Sequence, residues 1–363
     1  MDVGVQLDST QGQCSVARAE PIPVFRAAHL LPYLTVLREA GVPWDAELRR
    51  ARLPGSFADK PDTYLPLLRV LRFLAACERG VEDLALRGTQ RLGSDQLSAS
   101  GVRALGGAPT LRTALQSLHE VVGIEATRLL WRMDSGRTVR LCAHAAISRE
   151  AKGRHFVEWH QNIALVKLVR AYAGPEWRPD AMAFESDIAV TRHARELFPE
   201  TRFLTRQRSC WISVPCGLLS LPASDTRRRA ARLGERAASL PPVRDFVDSL
   251  RALLKTYLAE GAPTIMSAAD IADTSVRTLQ RRLARAGMCY SDLLDEIRFE
   301  AAEQLLTDSA SDVSEIAYEL GYAEASSFSR AFRRLAGLSP RQYRHAQIVR
   351  YRSESLDSQV PPG

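Results

Sequence analysis

Apolar residues recur at helical spacing in Phe25 to Ala40, Tyr64 to Arg79 and Leu111 to Val122, each bounded by Gly or Pro, so each stretch predicts a helix. The period then changes. Arg128 to Asp134 and Thr138 to Ala145 alternate around Asp134-Ser135-Gly136, which predicts a β-hairpin. A long amphipathic stretch, His155 to Ala173, predicts another helix, and Ala181 to Glu185 and Arg208 to Val214 read as short strands. This part of the chain is expected to be α+β. Pro222 to Pro242 breaks the pattern with the run Arg227 to Arg229 and the pair Pro241-Pro242, and predicts a basic linker.

Beyond the linker the pattern is wholly helical. Around Ser267, a first short helix with Ser267 as its N-cap leads through a tight turn at Asp273-Thr274 to a second, capped by Ser275 and stopped by Gly287. On that second helix Val276, Leu279 and Leu283 share one face, and Arg277, Gln280, Arg281 and Ala284 share the other. The same arrangement then recurs. Asp312 to Glu315 is a capping-box pattern, Val313, Ile316, Ala317 and Leu320 form an apolar face ending at Gly321, and a partner helix runs from about Glu324 to Leu335. There Phe328, Ala331, Phe332 and Leu335 are expected to pack while Ser326, Ser327, Arg330 and Arg333 face outward. Between the copies, Leu293, Leu294, Ile297, Ala301 and Leu305 form one stripe, predicting a continuous helix over Tyr290 to Leu306.

A single basic helix face is most often only solvated. Two copies of helix, turn and basic helix point instead to major-groove reading, because Arg grips guanine O6 and N7 and Gln grips adenine N6 and N7. Two such helices on one chain fit successive major-groove faces about 34 Å apart. Neither Ser275 to Gly287 nor Ala325 to His345 contains a carboxylate. Arg282, Arg333, Arg341 and Arg344 are the expected phosphate contacts.

At 363 residues the chain exceeds one hydrophobic core, so two domains are expected. The net charge of +7 permits a polyanionic partner. No apolar run is long enough to cross a bilayer, and Met1 to Glu20 lacks a basic start and an apolar block, so a cytoplasmic protein with a disordered leader is expected. The six cysteines form no C-x-x-C pair, which argues against a zinc site or disulfide framework. Cys289 is expected to be a packing residue, and the neighbours Cys210 and Cys216 to be buried thiols. His155 and His160 lie about 140° apart on one helix near Glu158 and do not form a metal pair. Nor is there a G-x-S-x-G, P-loop or dinucleotide fingerprint, so no catalytic residue, metal or cofactor is assigned.

The segments Ile297 to Leu306, Val313 to Tyr322 and Ser327 to Arg344 resemble the AraC/XylS family of bacterial regulators, with Tyr322 where the family commonly has Phe. The resemblance implies an all-α DNA-binding domain of seven helices with two helix-turn-helix units. It carries base reading onto Arg277, Gln280 and Arg281 in the first unit and Ser326, Ser327 and Arg330 in the second. Because short hydroxyls discriminate bases weakly, the first unit is expected to be the more specific. Residues 25–222 resemble, more weakly, the family's arabinose-binding-like domain, which implies ligand sensing, dimerisation or both. The expected order is a leader (1–24), an α+β sensor domain (25–222), a linker (223–247), the DNA-binding domain (248–346) and a flexible tail (347–363). The implied function is transcription regulation, as an activator modulated by a small molecule, on double-stranded promoter DNA with RNA polymerase as partner and with a homodimer left open. Two alternatives stay open: control by a protein partner without a small ligand, and architectural DNA binding of low specificity.

Overall fold

The computed structural model describes residues 20–93, 96–97, 101, 105, 107–125, 129–134, 138–145, 147–223, 243–258, 260–261, 263–308 and 311–347. The chain divides into two compact units that meet between Ser249 and Leu250. Most of the expected leader, linker (224–242) and tail (348–363) lies outside the described residues. Order begins before Phe25, however, since Ile22 and Val24 are already buried. At the other boundary Ala223 donates its amide to Pro109 at 2.9 Å, and a helix starts at Phe246, two residues before the expected start of the DNA-binding domain at 248.

The first unit is α+β. A two-stranded antiparallel ribbon pairs β1 (Val24–Arg26) with β2 (Tyr64–Pro66). These strands stand at the starts of two stretches expected to be helical throughout, and the helices α1 (Leu31–Glu39) and α3 (Leu67–Cys77) follow them. Pro66, extended at φ −64° and ψ 116°, ends the second strand and serves as the N-cap of α3. Around them lie α2 (Asp45–Arg50), α4 (Leu84–Gln90) and α5 (Leu111–Glu125).

The predicted hairpin is present as β3 (Leu129–Asp134) and β4 (Thr138–Ala145), paired from Leu129 with Ala145 to Asp134 with Arg140. Helix α6 (Arg154–Ala173) follows, then β5 (Ala181–Ala183), α7 (Arg192–Leu197), β6 (Arg202–Leu204) and β7 (Cys210–Pro215). The sheet order is β3-β4-β7-β5-β6, antiparallel except for β5 beside β6. On β4, Val139, Leu141 and Ala143 are buried while Arg140 faces out and stacks its guanidinium over Trp211 at 4.7 Å.

Helix α6 packs on both the sheet and α4, so it buries residues nearly all round, among them Phe156, Trp159, Ile163, Val166 and Val169. Its start is held by a sealed ionic cluster. Arg154 reaches Glu158 and Glu185 at 2.9 Å each and donates to the carbonyls of Ile147 and Ser148 at 2.7 and 3.0 Å. Gly153, at φ +80°, lies against the Leu71 carbonyl, and a Cβ there would come within 2.5 Å of that oxygen.

The second unit is all-helical. It comprises the bulk of α8 (Phe246–Leu258), α9 (Ile265–Ile271), α10 (Val276–Arg285), α11 (Tyr290–Asp308), α12 (Val313–Glu319), α13 (Ala325–Ala336) and a last helical segment at 340–347. That makes seven helices among the described residues, the number the resemblance implies.

Candidate nucleic-acid interface

Helices α9 and α10 form the first helix-turn-helix, and α12 and α13 the second. The cap of α9 is Thr264, whose hydroxyl accepts from the Ser267 amide at 3.2 Å. The cap thus lies three residues before the expected one, and Ser267 occupies the first turn of the helix. Thr264 is extended at φ −72° and ψ 163° and follows Pro263, which gives it N-cap geometry one turn earlier. Ser275 caps α10 as expected, accepting from the Thr278 amide at 3.2 Å. In the second unit the capping box at α12 is formed, with Glu315 accepting from the Asp312 amide at 2.9 Å.

The two turns are built alike. Asp273 (φ +50°) and Gly321 (φ +76°) each take the left-handed conformation that redirects the chain. Each is followed by an amide that bonds back into the first helix, Thr274 to Ala269 and Tyr322 to Ala317, both at 2.9 Å. From there the second turn is one residue longer, so its helix begins after Glu324 rather than after a serine.

Each second helix has one buried face and one open face. Leu279 and Leu283 are buried on α10, as are Phe328 and Phe332 on α13. Arg277, Gln280 and Arg281 are exposed, and among the described residues none has a hydrogen-bond or ion-pair partner, so their donors face outward uncommitted. Leu335, expected in the core, is 43% exposed. Phe332 is already enclosed by Phe299 and Tyr343, with ring centroids at 5.0 and 5.3 Å, so the core closes one turn before Leu335.

The other expected contacts divide. On α13 the serines are engaged: Ser326 donates to Glu324 at 3.0 Å, and Ser327 accepts from Arg330 at 3.2 Å. Arg333 and Arg341 are exposed, and Arg282 is half-buried. Arg344 is committed inward, donating to the carbonyl of Leu306 at 3.2 Å and that of Ser311 at 2.7 Å.

Helix α11 ties the two helix-turn-helix units together. Its stripe is sealed at Leu293, Ile297, Ala302 and Leu306, while Leu294, Ala301 and Leu305, expected on the stripe, are only half-buried. At the C-terminal end the buried line has shifted by one residue. Arg298 on α11 stacks on Tyr322 at 4.5 Å and donates to the Leu320 carbonyl at 3.2 Å, so the tyrosine ring keeps a packing role. Tyr322 also lies 5.5 Å from Phe328.

The residues weighed for catalysis do not converge. His155 bonds to Glu78 at 2.9 Å, Glu158 belongs to the Arg154 cluster, and His160 packs between Phe25 and His29 at 5.3 and 5.1 Å. Among the described residues no group of three or more His, Cys, Asp or Glu is placed to hold a metal ion, and no helix is long and apolar enough to cross a membrane. Cys289 is exposed, not packed: it stands at the start of α11 with its thiol 2.8 Å from Asp292. Cys210 is buried and Cys216 exposed.

Two family models match the chain. Residues 268–346 match a helix-turn-helix domain, and residues 41–212 match the N-terminal arabinose-binding domain of AraC transcription regulators. The HTH-type transcriptional regulator VirS of Mycobacterium tuberculosis is 27% identical over 331 residues, covering 88% of this chain and 96% of VirS. An ornithine utilization regulator of Pseudomonas aeruginosa is 32% identical over 141 residues, covering 38% of this chain and 41% of its own length. Among solved structures, the transcriptional regulator CdpR of Pseudomonas aeruginosa matches with a TM-score of 0.39 and 20% identity, over 88% of this chain and 98% of that one.

Proposed function

Because the chain belongs to the AraC/XylS family of transcription regulators, we propose that it reads promoter DNA through α10 and α13 and adjusts that reading to a small molecule held by its first unit. The observation that carries the proposal is the outward, uncommitted set Arg277, Gln280 and Arg281 on a helix whose opposite face is sealed by Leu279 and Leu283. A guanidinium pair and an amide at these positions offer guanine and adenine the bidentate partners that their major-groove edges require. In this reading Arg282, Arg333 and Arg341 hold the phosphates, Arg330 reads a base in the second box, and the protein acts on RNA polymerase as an activator without catalysing a reaction of its own.

Selection of bound fragments from a genomic library tests the proposal. The wild type is expected to enrich two boxes about one helical turn apart, and the Arg277→Ala/Arg281→Ala variant to lose one of them. Enrichment of no motif with or without cell extract, together with a steep loss of affinity in salt, would instead support a low-specificity architectural protein. The ligand is sought by thermal denaturation across a metabolite panel. A binder present at 100 times its Kd raises native stability by about 2.7 kcal/mol. A panel without any shift, alongside promoter binding that depends on a protein in extract, favours control by a protein partner.

A further inference from the structure

We infer that Glu324 is a specificity-determining residue that selects cytosine in the second box; this rests on the reading of α13 as a groove-reading helix. Glu324 is exposed and occupies the N-cap of α13, at φ −140° and ψ 137°. The N-terminal residues of a recognition helix are those that meet base edges.

The side chain does not cap the helix by a hydrogen bond, so its effect there is limited to the small, salt-screened attraction to the helix dipole. Glutamate is outside the favoured N-cap set, and Glu324 makes no side-chain cap bond, whereas Thr264, Ser275 and Asp312 cap the other three helices of the two units. Nor does it serve general affinity for DNA. Helices α10 and α13 contain no other carboxylate, and a negative charge at this point repels phosphates.

What a carboxylate offers a major groove is acceptors only. Cytosine presents the N4 amino donor, guanine presents the O6 and N7 acceptors, thymine presents O4 and a methyl, and adenine places its N7 acceptor beside its amino group. A carboxylate therefore attracts cytosine and penalises the acceptor edges, which is discrimination by repulsion as well as attraction. The Ser326 hydroxyl, donating to Glu324 at 3.0 Å, restrains the carboxylate, so Ser326 acts as a positioning residue and not as a reader. Ser327 does the same for Arg330 from the acceptor side at 3.2 Å. The second unit thus presents one restrained acceptor and one restrained donor, suited to a cytosine and a guanine.

The test is competition binding of the full chain to its selected site, with all four bases placed in turn at every position of both boxes. The wild type is expected to prefer cytosine at one position by roughly 5- to 150-fold. Glu324→Gln should move that preference toward adenine. Glu324→Ser, a better cap, should keep or raise the melting temperature while flattening the preference and strengthening binding to random DNA. Ser326→Ala should weaken discrimination at that same position, and Ser326→Thr should restore it. If both Glu324 variants melt normally and leave every base preference in the second box unchanged, the inference is overturned. Arg281→Ala in the same experiment separates the two readings. If it erases a first-box preference while the Glu324 variants change nothing, the helices read DNA and only the role of Glu324 fails; if it too changes nothing, the reading of the helices fails.

Discussion

Replacing Arg344 with alanine separates a structural arginine from a phosphate contact. The carbonyl of Leu306 lies in the last turn of α11, where helix geometry leaves acceptors without an intrahelical donor. Arg344 donates to it at 3.2 Å and to Ser311, beyond the helix end, at 2.7 Å, and its charge suits the negative end of the helix dipole. A hydrogen bond to a charged group contributes about 1.5–3 kcal/mol in a buried setting. Arg344 is only half-buried, so water can replace part of what alanine removes, and the expected loss for the two bonds together is about 1–3 kcal/mol. Hydrogen–deuterium exchange on the full chain reads this locally: amides at the end of α11 and in 340–347 should exchange roughly 5- to 150-fold faster in the variant. The slope of log affinity against log salt should stay at its wild-type value, whereas Arg341→Ala should reduce it by about 0.9. If Arg344→Ala instead lowers the slope by a full contact and leaves exchange unchanged, the phosphate role expected from sequence is right and the capping argument is wrong.

Phe332→Ala empties a fully buried site bounded by Phe299, Phe328 and Tyr343 and is expected to cost about 3–5 kcal/mol, read as lost helicity in the second unit at lower denaturant; an unchanged midpoint would count against this core. Arg154→Met removes the buried guanidinium between Glu158 and Glu185, leaving Glu158 to the Ser186 amide and hydroxyl and Glu185 to the largely exposed Arg149 at 3.6 Å, and should destabilise the first unit by about 3 kcal/mol. All five tryptophans precede Leu250, so their fluorescence reports on that unit alone, and a wild-type melting point would refute the claim. Burial, with His29 and Lys167 adding to it, holds the His160 imidazole well below its ordinary value. The native state then binds fewer protons there than the unfolded chain, so this contribution to stability falls as pH drops below about 6.5 and levels off only below the native value. His160→Phe should flatten the tryptophan-detected dependence between pH 7.5 and 5.5, and an identical slope in the two proteins would show that His160 is not its source.

The second unit was legible in the sequence because its signals are local. Caps, left-handed stops and apolar faces at 3.6-residue spacing set α10 to α13, and Asp312, Ser275, Gly321 and Gly337 stand where those signals put them. The first unit was legible in its long α6 and its β3–β4 hairpin. It was not legible at β1 and β2, three-residue strands whose period merges with the helices behind them. Strand β6, also three residues long, gave no alternation to detect. Nor could the sequence separate exposed, unpartnered arginines from structural ones. Arg281, Arg298 and Arg344 look alike along the chain, and only the carbonyls they meet, or fail to meet, across 22 or more residues distinguish them.

Charge in the second unit is sorted in a way that composition hides. Three of the six carboxylates of α11 are ion-paired to neighbouring helices: Arg251 reaches Glu296 and Glu300 at 2.5 and 3.3 Å, Lys255 pairs with Glu300, and Arg334 pairs with Asp295. Partly exposed pairs of this kind contribute little stability each. Their larger effect is to neutralise these three acids of the connecting helix, which would otherwise weaken the field around a polyanion. The same pairing removes Lys255, Arg251 and Arg334 from the set available to phosphates. Among the described residues, exposed arginines without an ion-pair partner remain at Arg277, Arg281 and Arg285 of α10, Arg330 and Arg333 of α13 and Arg341 after it, with Glu324 as the one acidic residue at the start of α10 or α13. A protein needing only affinity for DNA would gain from removing that carboxylate; under the proposed reading, base selection accounts for its place beside Ser326.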